Sequence, residues 1–221
     1  MLGAVLGLAR ARGAIGAECR LVAVDSTGFE PHHVSYYYGK RCGRRMRHYP
    51  KLSAVCDTAS HLLLAAVVDH GPKPDHIEFE QAVTEAHRLV PFRHLLADAG
   101  YDSEHHHRLV RLGLGAETTI PATTGRPTDR LPTGRFRRQM RTNFDKVLYG
   151  QRWQIESAFS RCKRRLGSSL TALSPRTQLA DIQIRVLTYN LMITLAPDVF
   201  STEQDSNLFP HASAHPDAGA P

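Results

Sequence analysis

Two short apolar runs, each stopped by an aspartate at a turn, constrain this chain more than any other feature. Leu21 to Val24 ends at Asp25-Ser26-Thr27-Gly28, and His94 to Ala97 ends at Asp98-Ala99-Gly100. An apolar run of four residues followed by turn formers reads as a buried strand that delivers a carboxylate to its end. Between them, Lys51 to Asp57 and Leu62 to Val68 flank the polar break Thr58-Ala59-Ser60, which predicts an antiparallel hairpin. A helical period from Asp75 to Val90 closes at Pro91. After Asp98, a helix over Ser103 to Leu114 and a strand over Glu117 to Ile120 follow, with Ser103 as N-cap. The order β-β-β-α-β-α-β predicts an α/β domain, a mixed five-stranded sheet with flanking helices in which the first and fourth strands can be neighbours.

The second half reads differently. Residues 122 to 142 carry Gly, Pro, Thr and Arg without an apolar period, which predicts a flexible basic loop. Phe144 to Leu166 has an apolar period broken only by Gly150, so a long helix with Gly167 as its C-cap is expected, and Thr177 to Leu195 makes a last helix. We divide the chain into a short leader (1–20), one catalytic domain (21–196) and a Pro- and Ala-rich tail (197–221) expected to be disordered.

Charge narrows the function. The net charge is +7 over 221 residues, and it is concentrated. Lys40, Arg41, Arg44, Arg45, Arg47 and Lys51 lie in a stretch without an acid, and residues 126 to 165 hold twelve basic residues against Asp129, Asp145 and Glu156. Clustered cations favour a polyanionic partner, and Arg44 and Arg45 are candidate DNA contacts. His32, His33 and Tyr36 to Tyr38 could line the same surface. The four cysteines are isolated from one another, which fits a reduced chain rather than a disulfide or zinc framework. No apolar run is long enough to span a bilayer, so a cytoplasmic protein with no membrane partner is expected.

Asp25, Asp98 and Glu156 are the candidate catalytic and metal-ligating residues. Phosphodiester chemistry must deprotonate an attacking oxygen and stabilise a leaving one, and two magnesium ions about 4 Å apart do both. Magnesium takes hard oxygen ligands, which carboxylates supply. Tyr149, Arg152, Glu156 and Lys163 are expected on one helix face over about four turns, setting an acid among cations that could grip phosphates. An ordinary salt-bridged surface helix has the same pattern. Asp102 is a candidate supporting acid or helix cap. The run His105-His106-His107 points its rings about 100° apart on a helix, a poor geometry for one ion.

Tyr149-Gly-Gln-Arg152-Trp-Gln-Ile-Glu156-Ser-Ala-Phe-Ser-Arg-Cys-Lys163 resembles the Y-x2-R-x3-E-x6-K motif of the DDE transposases of bacterial insertion sequences, of the type-four and type-five groups. The segments around Asp25 and Asp98 resemble the same family's first two catalytic positions, and the resemblance covers roughly Leu21 to Leu195. It implies an RNase H-like fold and a transposase that cleaves DNA strands and transfers them in DNA transposition and recombination. It also implies Mg²⁺, with Mn²⁺ a possible substitute, on Asp25, Asp98 and Glu156. Tyr149, Arg152 and Lys163 would contact the phosphates of double-stranded DNA at transposon ends, with the target DNA as second substrate and a homodimer on DNA as the implied assembly. Trp153 could stack on an unpaired base or pack in the core. The family usually carries a DNA-binding region before the first Asp, whereas 24 residues precede Asp25; a truncated copy or half of a split reading frame is therefore expected. Alternatives are an RNase H-like nuclease without strand transfer and a non-enzymatic DNA-binding remnant.

Overall fold

The computed structural model describes residues 1–31, 49–123 and 130–196. Arg44, Arg45, the histidines and tyrosines between 32 and 38, Cys42 and the tail therefore lie outside the described residues.

Strands β1 (Val22–Gly28), β2 (Tyr49–Asp57), β3 (Leu63–Gly71), β4 (His94–Leu96) and β5 (Glu117–Thr119) form one sheet in the order β3-β2-β1-β4-β5. The first three pair antiparallel, and β4 and β5 run parallel to β1. Local sequence explains the division. The three-residue break after Asp57 closes a hairpin, with Asp57 Oδ2 accepting hydrogen bonds from the backbone N–H (2.8 Å) and hydroxyl (2.6 Å) of Ser60. A helix intervenes before β4, and only such a crossover returns the chain parallel. This mixed sheet with flanking helices is the RNase H-like arrangement expected above.

Helix α1 (Leu2–Ala11) buries Leu6 and Ala9 and packs on β3 and on the last helix, so these residues belong to the folded body. A 3-10 turn (Asp75–Glu78) leads into α2 (Phe79–Leu89), whose buried Phe79, Ala82, Val83 and Ala86 follow the helical period onto β3 and β2. Beyond Asp98 come a 3-10 turn (Ala99–Tyr101), α3 (Glu104–Arg108) and a π turn (Leu109–Gly113). Helices α4 (Arg135–Thr142), α5 (Lys146–Tyr149), α6 (Trp153–Leu166) and α7 (Pro175–Leu195) complete the chain.

The core is a single cluster of strand residues such as Val22, Val24, Leu52 and Leu96, closed by Ile155, Phe159, Ile182 and Tyr189 from α6 and α7. Burying each large side chain stabilises the fold by roughly 1.5–3 kcal/mol. One polar residue helps to lock α7 onto the sheet. Fully buried Asn190 accepts from Leu63 N–H (2.9 Å) and donates to Leu63 C=O (2.8 Å), completing the edge of β3 beside the irregular pairing at Val55 and Cys56.

Three expectations about the second half need correction. The stretch from 135 to 142 is the helix α4, because Glu104 of α3 accepts the backbone N–H groups of Phe136 (3.1 Å) and Arg137 (3.1 Å) and so caps its first turn from afar. The long helix expected from Phe144 is broken: Asp145 caps α5 through Leu148 N–H (2.9 Å), and a 3-10 turn over Gly150–Arg152 separates α5 from α6. The last helix starts two residues earlier than expected, at Pro175, with a Ser174/Thr177 capping box. Among the described residues, no helix is long and apolar enough to cross a membrane.

Candidate active site

Asp25 lies on β1 two residues beyond Ala23, and Asp98 two residues beyond Leu96, its parallel partner on β4. Extending that register sets Asp98, just past the C-terminal end of β4, level with Asp25. Asp25 lies mid-strand rather than at the strand end expected from sequence, because Ser26, Thr27 and Gly28 continue β1 by pairing with β2. Each also accepts a nearby backbone N–H, Asp25 within β1 and Asp98 in the 3-10 turn that follows β4. Asp25 Oδ1 accepts from Ser26 N–H and Asp98 Oδ1 from Gly100 N–H, both at 2.8 Å. A Cβ on Gly100 would stand 3.0 Å from Asp98 Oδ1, so this tight turn suits glycine. Behind them, Ser26 Oγ meets Ser53 Oγ at 2.7 Å and Tyr101 Oη at 3.0 Å, which fastens the Asp98 turn to β1 and β2 beside Asp25.

Glu156 approaches from the first turn of α6, with its side chain 55% exposed. Arg152 joins it to Asp25: one guanidinium nitrogen lies 3.2 Å from Asp25 Oδ2, and the other donates to Glu156 Oε1 in a short contact. Burial holds the Asp25 carboxyl above the usual range, and the nearby charges of Asp98 and Glu156 push it further, outweighing the Ser26 N–H and Arg152. Burial alone would lower Arg152, but its hydrogen bond to Glu156 and the charges of Glu156 and Asp25 raise it. The site is therefore crowded with acids for its single bridging cation. Its donors are hard carboxylates, suited to a divalent ion such as Mg²⁺. They do not converge on one point as they stand, and among the described residues no three His, Cys, Asp or Glu side chains form a ready metal cluster.

Lys163, two turns along α6, donates to Thr27 Oγ1 (2.6 Å) and Gly28 C=O (2.7 Å) at the end of β1 and lies over the Phe29 ring at 5.0 Å. Burial lowers its pKa. Tyr149 ends α5 and packs against Phe144, its ring 5.1 Å away. Tyr149, Arg152, Glu156 and Lys163 thus come from a short helix, a 3-10 turn and a second helix rather than from one continuous face. Trp153, whose burial was one option, is 51% exposed beside Arg152.

Other candidates separate. Lys51 points inward, 2% exposed, onto Glu78 (2.7 Å) and Asp75 (3.2 Å). The three histidines face three partners: His105 lies near Glu80, His106 bonds Tyr101 C=O at 2.8 Å and stacks on Phe79, and His107 bonds Thr118 Oγ1 at 2.7 Å. Ser103, not Asp102, caps α3. Asp102 instead receives Arg137 and Thr123, an anchor that sequence reasoning missed, since its partners lie 21 and 35 residues away.

The chain matches the transposase DDE domain family over residues 17–191, a span that includes both aspartates and Glu156. It belongs to that family. Among solved structures, this DDE domain is similar to a piggyBac transposase in a synaptic complex with hairpin DNA, at 12% identity and a TM-score of 0.47, over 84% of this chain and 49% of that one. The chain thus spans about half the length of that transposase. No curated protein matched it.

Proposed function

We propose that this DDE domain cleaves DNA strands at transposon ends and joins them to target DNA, with Asp25, Asp98 and Glu156 as catalytic metal ligands. The observation that carries this reading is the level setting of Asp25 on β1 and Asp98 just past the parallel strand β4, with Glu156 tied to Asp25 through Arg152. Bound Mg²⁺, or Mn²⁺ in its place, would stabilise the attacking and leaving oxygens of the phosphodiester. Asp25 and Asp98 would hold it from the sheet and Glu156 from α6. Arg152 would exchange its carboxylate partners for a DNA phosphate, one charge-assisted pair for another. Tyr149 and Lys163 would grip phosphates on either side of the scissile bond, and half-exposed Trp153 would stack on an unpaired base near the cut. Arg44 and Arg45 would add phosphate contacts. The substrate is double-stranded DNA, the assembly a homodimer on that DNA, and the compartment the cytoplasm.

The test uses labelled duplex carrying the element's terminal repeats, incubated with Mg²⁺, Mn²⁺ or EDTA, comparing the wild type with Glu156→Ala. Metal-dependent cutting and joining that the substitution abolishes, with DNA binding retained, is the expected result. Cutting without joining would reduce the reading to a nuclease, and binding without cutting to a DNA-binding remnant.

A further inference from the structure

We propose that α4 is a preformed clamp for DNA phosphates, in which Arg135, Arg138 and Arg141 bind the duplex backbone flanking the cut. The inference rests on the transposase reading of the site and adds a contact surface outside the acidic trio and the residues around it.

The helix reads Arg-Phe-Arg-Arg-Gln-Met-Arg-Thr, with four arginines and no acid. Its inward residues hold it in place. Phe136 and Met140, four apart, are buried, and Arg111 lies over the Phe136 ring at 5.0 Å. Arg137 is turned inward as well, donating to Asp102 Oδ1 at 2.9 Å and Oδ2 at 2.6 Å and to Thr123 C=O at 2.9 Å. The helix N-terminus is occupied by the Glu104 carboxylate, so any anion bound here meets side chains.

What remains outward is Arg135, Arg138 and Arg141, all exposed. At three-residue spacing they sweep one side of the helix over about 9 Å. Duplex DNA presents a charge about every 1.7 Å of axis, so that length faces about five phosphate charges, enough for one per arginine. The contacts that two of these arginines make are weak: Arg138 Nε reaches Pro132 C=O at 3.3 Å, and Arg135 lies over the Phe136 ring at 5.4 Å. Neither is an ion pair, and three like charges on one short helix repel one another until an anion arrives.

Position distinguishes this strip from an ordinary solvated face. Its anchor, Asp102, is four residues beyond Asp98, and Tyr101 between them bonds Ser26, the neighbour of Asp25. The arginines are therefore fastened to the turn that carries the second candidate ligand, so a duplex seated in the site passes beside them.

The experiment measures anisotropy of labelled duplex, with terminal repeats and with scrambled sequence, against the full chain over a range of NaCl concentrations. The test variant is R135Q/R138Q/R141Q. A control, R10Q/R12Q/R88Q, removes the same charge from exposed residues near the other end of the sheet, where Cys19 pairs with Phe92 just before β1 and β4 begin. If α4 is the clamp, the test variant loses about 2.7 from the slope of log K against log salt, at about 0.9 per phosphate contact, for both sequences, and the control loses far less. Equal losses in the two variants, or an unchanged slope in the test variant while the wild type binds, would overturn the clamp alone. A wild type that binds neither duplex overturns the clamp together with the transposase reading.

Discussion

Replacing Asp102 with alanine isolates the bond that holds α4 to the edge of the candidate site. The Asp102 side chain is fully buried and accepts from Thr123 N–H (2.7 Å), Thr123 Oγ1 (2.9 Å) and the Arg137 guanidinium through two nitrogens. Burial alone would raise its pKa, but these donors outweigh it and lower it. Removing one partner from a charge-assisted hydrogen bond costs roughly 1.5–3 kcal/mol, and breaking a fully buried ion pair roughly 3–5 kcal/mol. The Arg137 side chain is 26% exposed, so water recovers part of that loss, and we expect about 2–3 kcal/mol. Because α4 is otherwise held by Glu104, Phe136 and Met140, the loss appears as local opening rather than global unfolding. At about 1.4 kcal/mol per tenfold, amide protection in α4 falls about 30- to 150-fold while the β1 and β2 amides keep theirs. Hydrogen exchange read by mass spectrometry resolves the two regions. A change in α4 below about threefold, or an equal fall across the sheet, would refute the anchor. Since the Asp102 pKa is lowered in the folded chain, its contribution is present above the ordinary carboxylate pKa and is lost as pH falls through the lowered value, so α4 should loosen first in acid.

Two further substitutions test the fold and the site. Asp25→Asn should raise the Tm at neutral pH: a raised folded-state pKa contributes stability below the ordinary carboxylate value and loses it as pH rises through the folded value, so the charged Asp25 is a burden at neutrality. That advantage should vanish in acid, and a lower Tm at neutral pH in a thermal melt would count against the crowding of acids described here. Asn190→Ala strands the N–H and C=O of buried Leu63, at roughly 1–3 kcal/mol for each group, so urea unfolding should report a loss of about 2–6 kcal/mol. A loss under about 1 kcal/mol would mean that Asn190 does not complete β3.

What the sequence discloses here follows the range over which its physics acts. Asp25 and Asp98 were legible because each follows a short apolar run, but the turn expected at Asp25 is strand, since Ser26, Thr27 and Gly28 pair with β2, a partner that the local sequence does not show. Element order allowed β1 and β4 to be neighbours, and the parallel pairing of Ala23 with Leu96 realises that arrangement. Helix α4 was not, because Gly, Pro and Thr dominate the approach to it and its capping acid, Glu104, lies 32 residues upstream. Lys51 read as a surface cation because its partners Asp75 and Glu78 meet it only once β2 is paired and the chain has turned into α2.

The motif around Glu156 shows the limit most clearly. Its spacing correctly grouped Arg152 with Glu156, four residues apart, but said nothing of Asp25, 127 residues away, which shares the same guanidinium. Lys163 likewise grips Thr27 and Gly28 at the end of β1. Both cations are thus attached to the strand that carries the first acid, and each attachment uses N–H groups that a phosphate oxygen could equally accept. A cation that bridges carboxylates holds their mutual repulsion in check and keeps β1 and α6 in register while no other cation is bound. Under the proposed function, releasing Arg152 to a phosphate leaves Asp25, Asp98 and Glu156 without that counterion, the electrostatic condition under which carboxylates bind a divalent ion most strongly. DNA binding and metal binding would then favour one another through a single side chain.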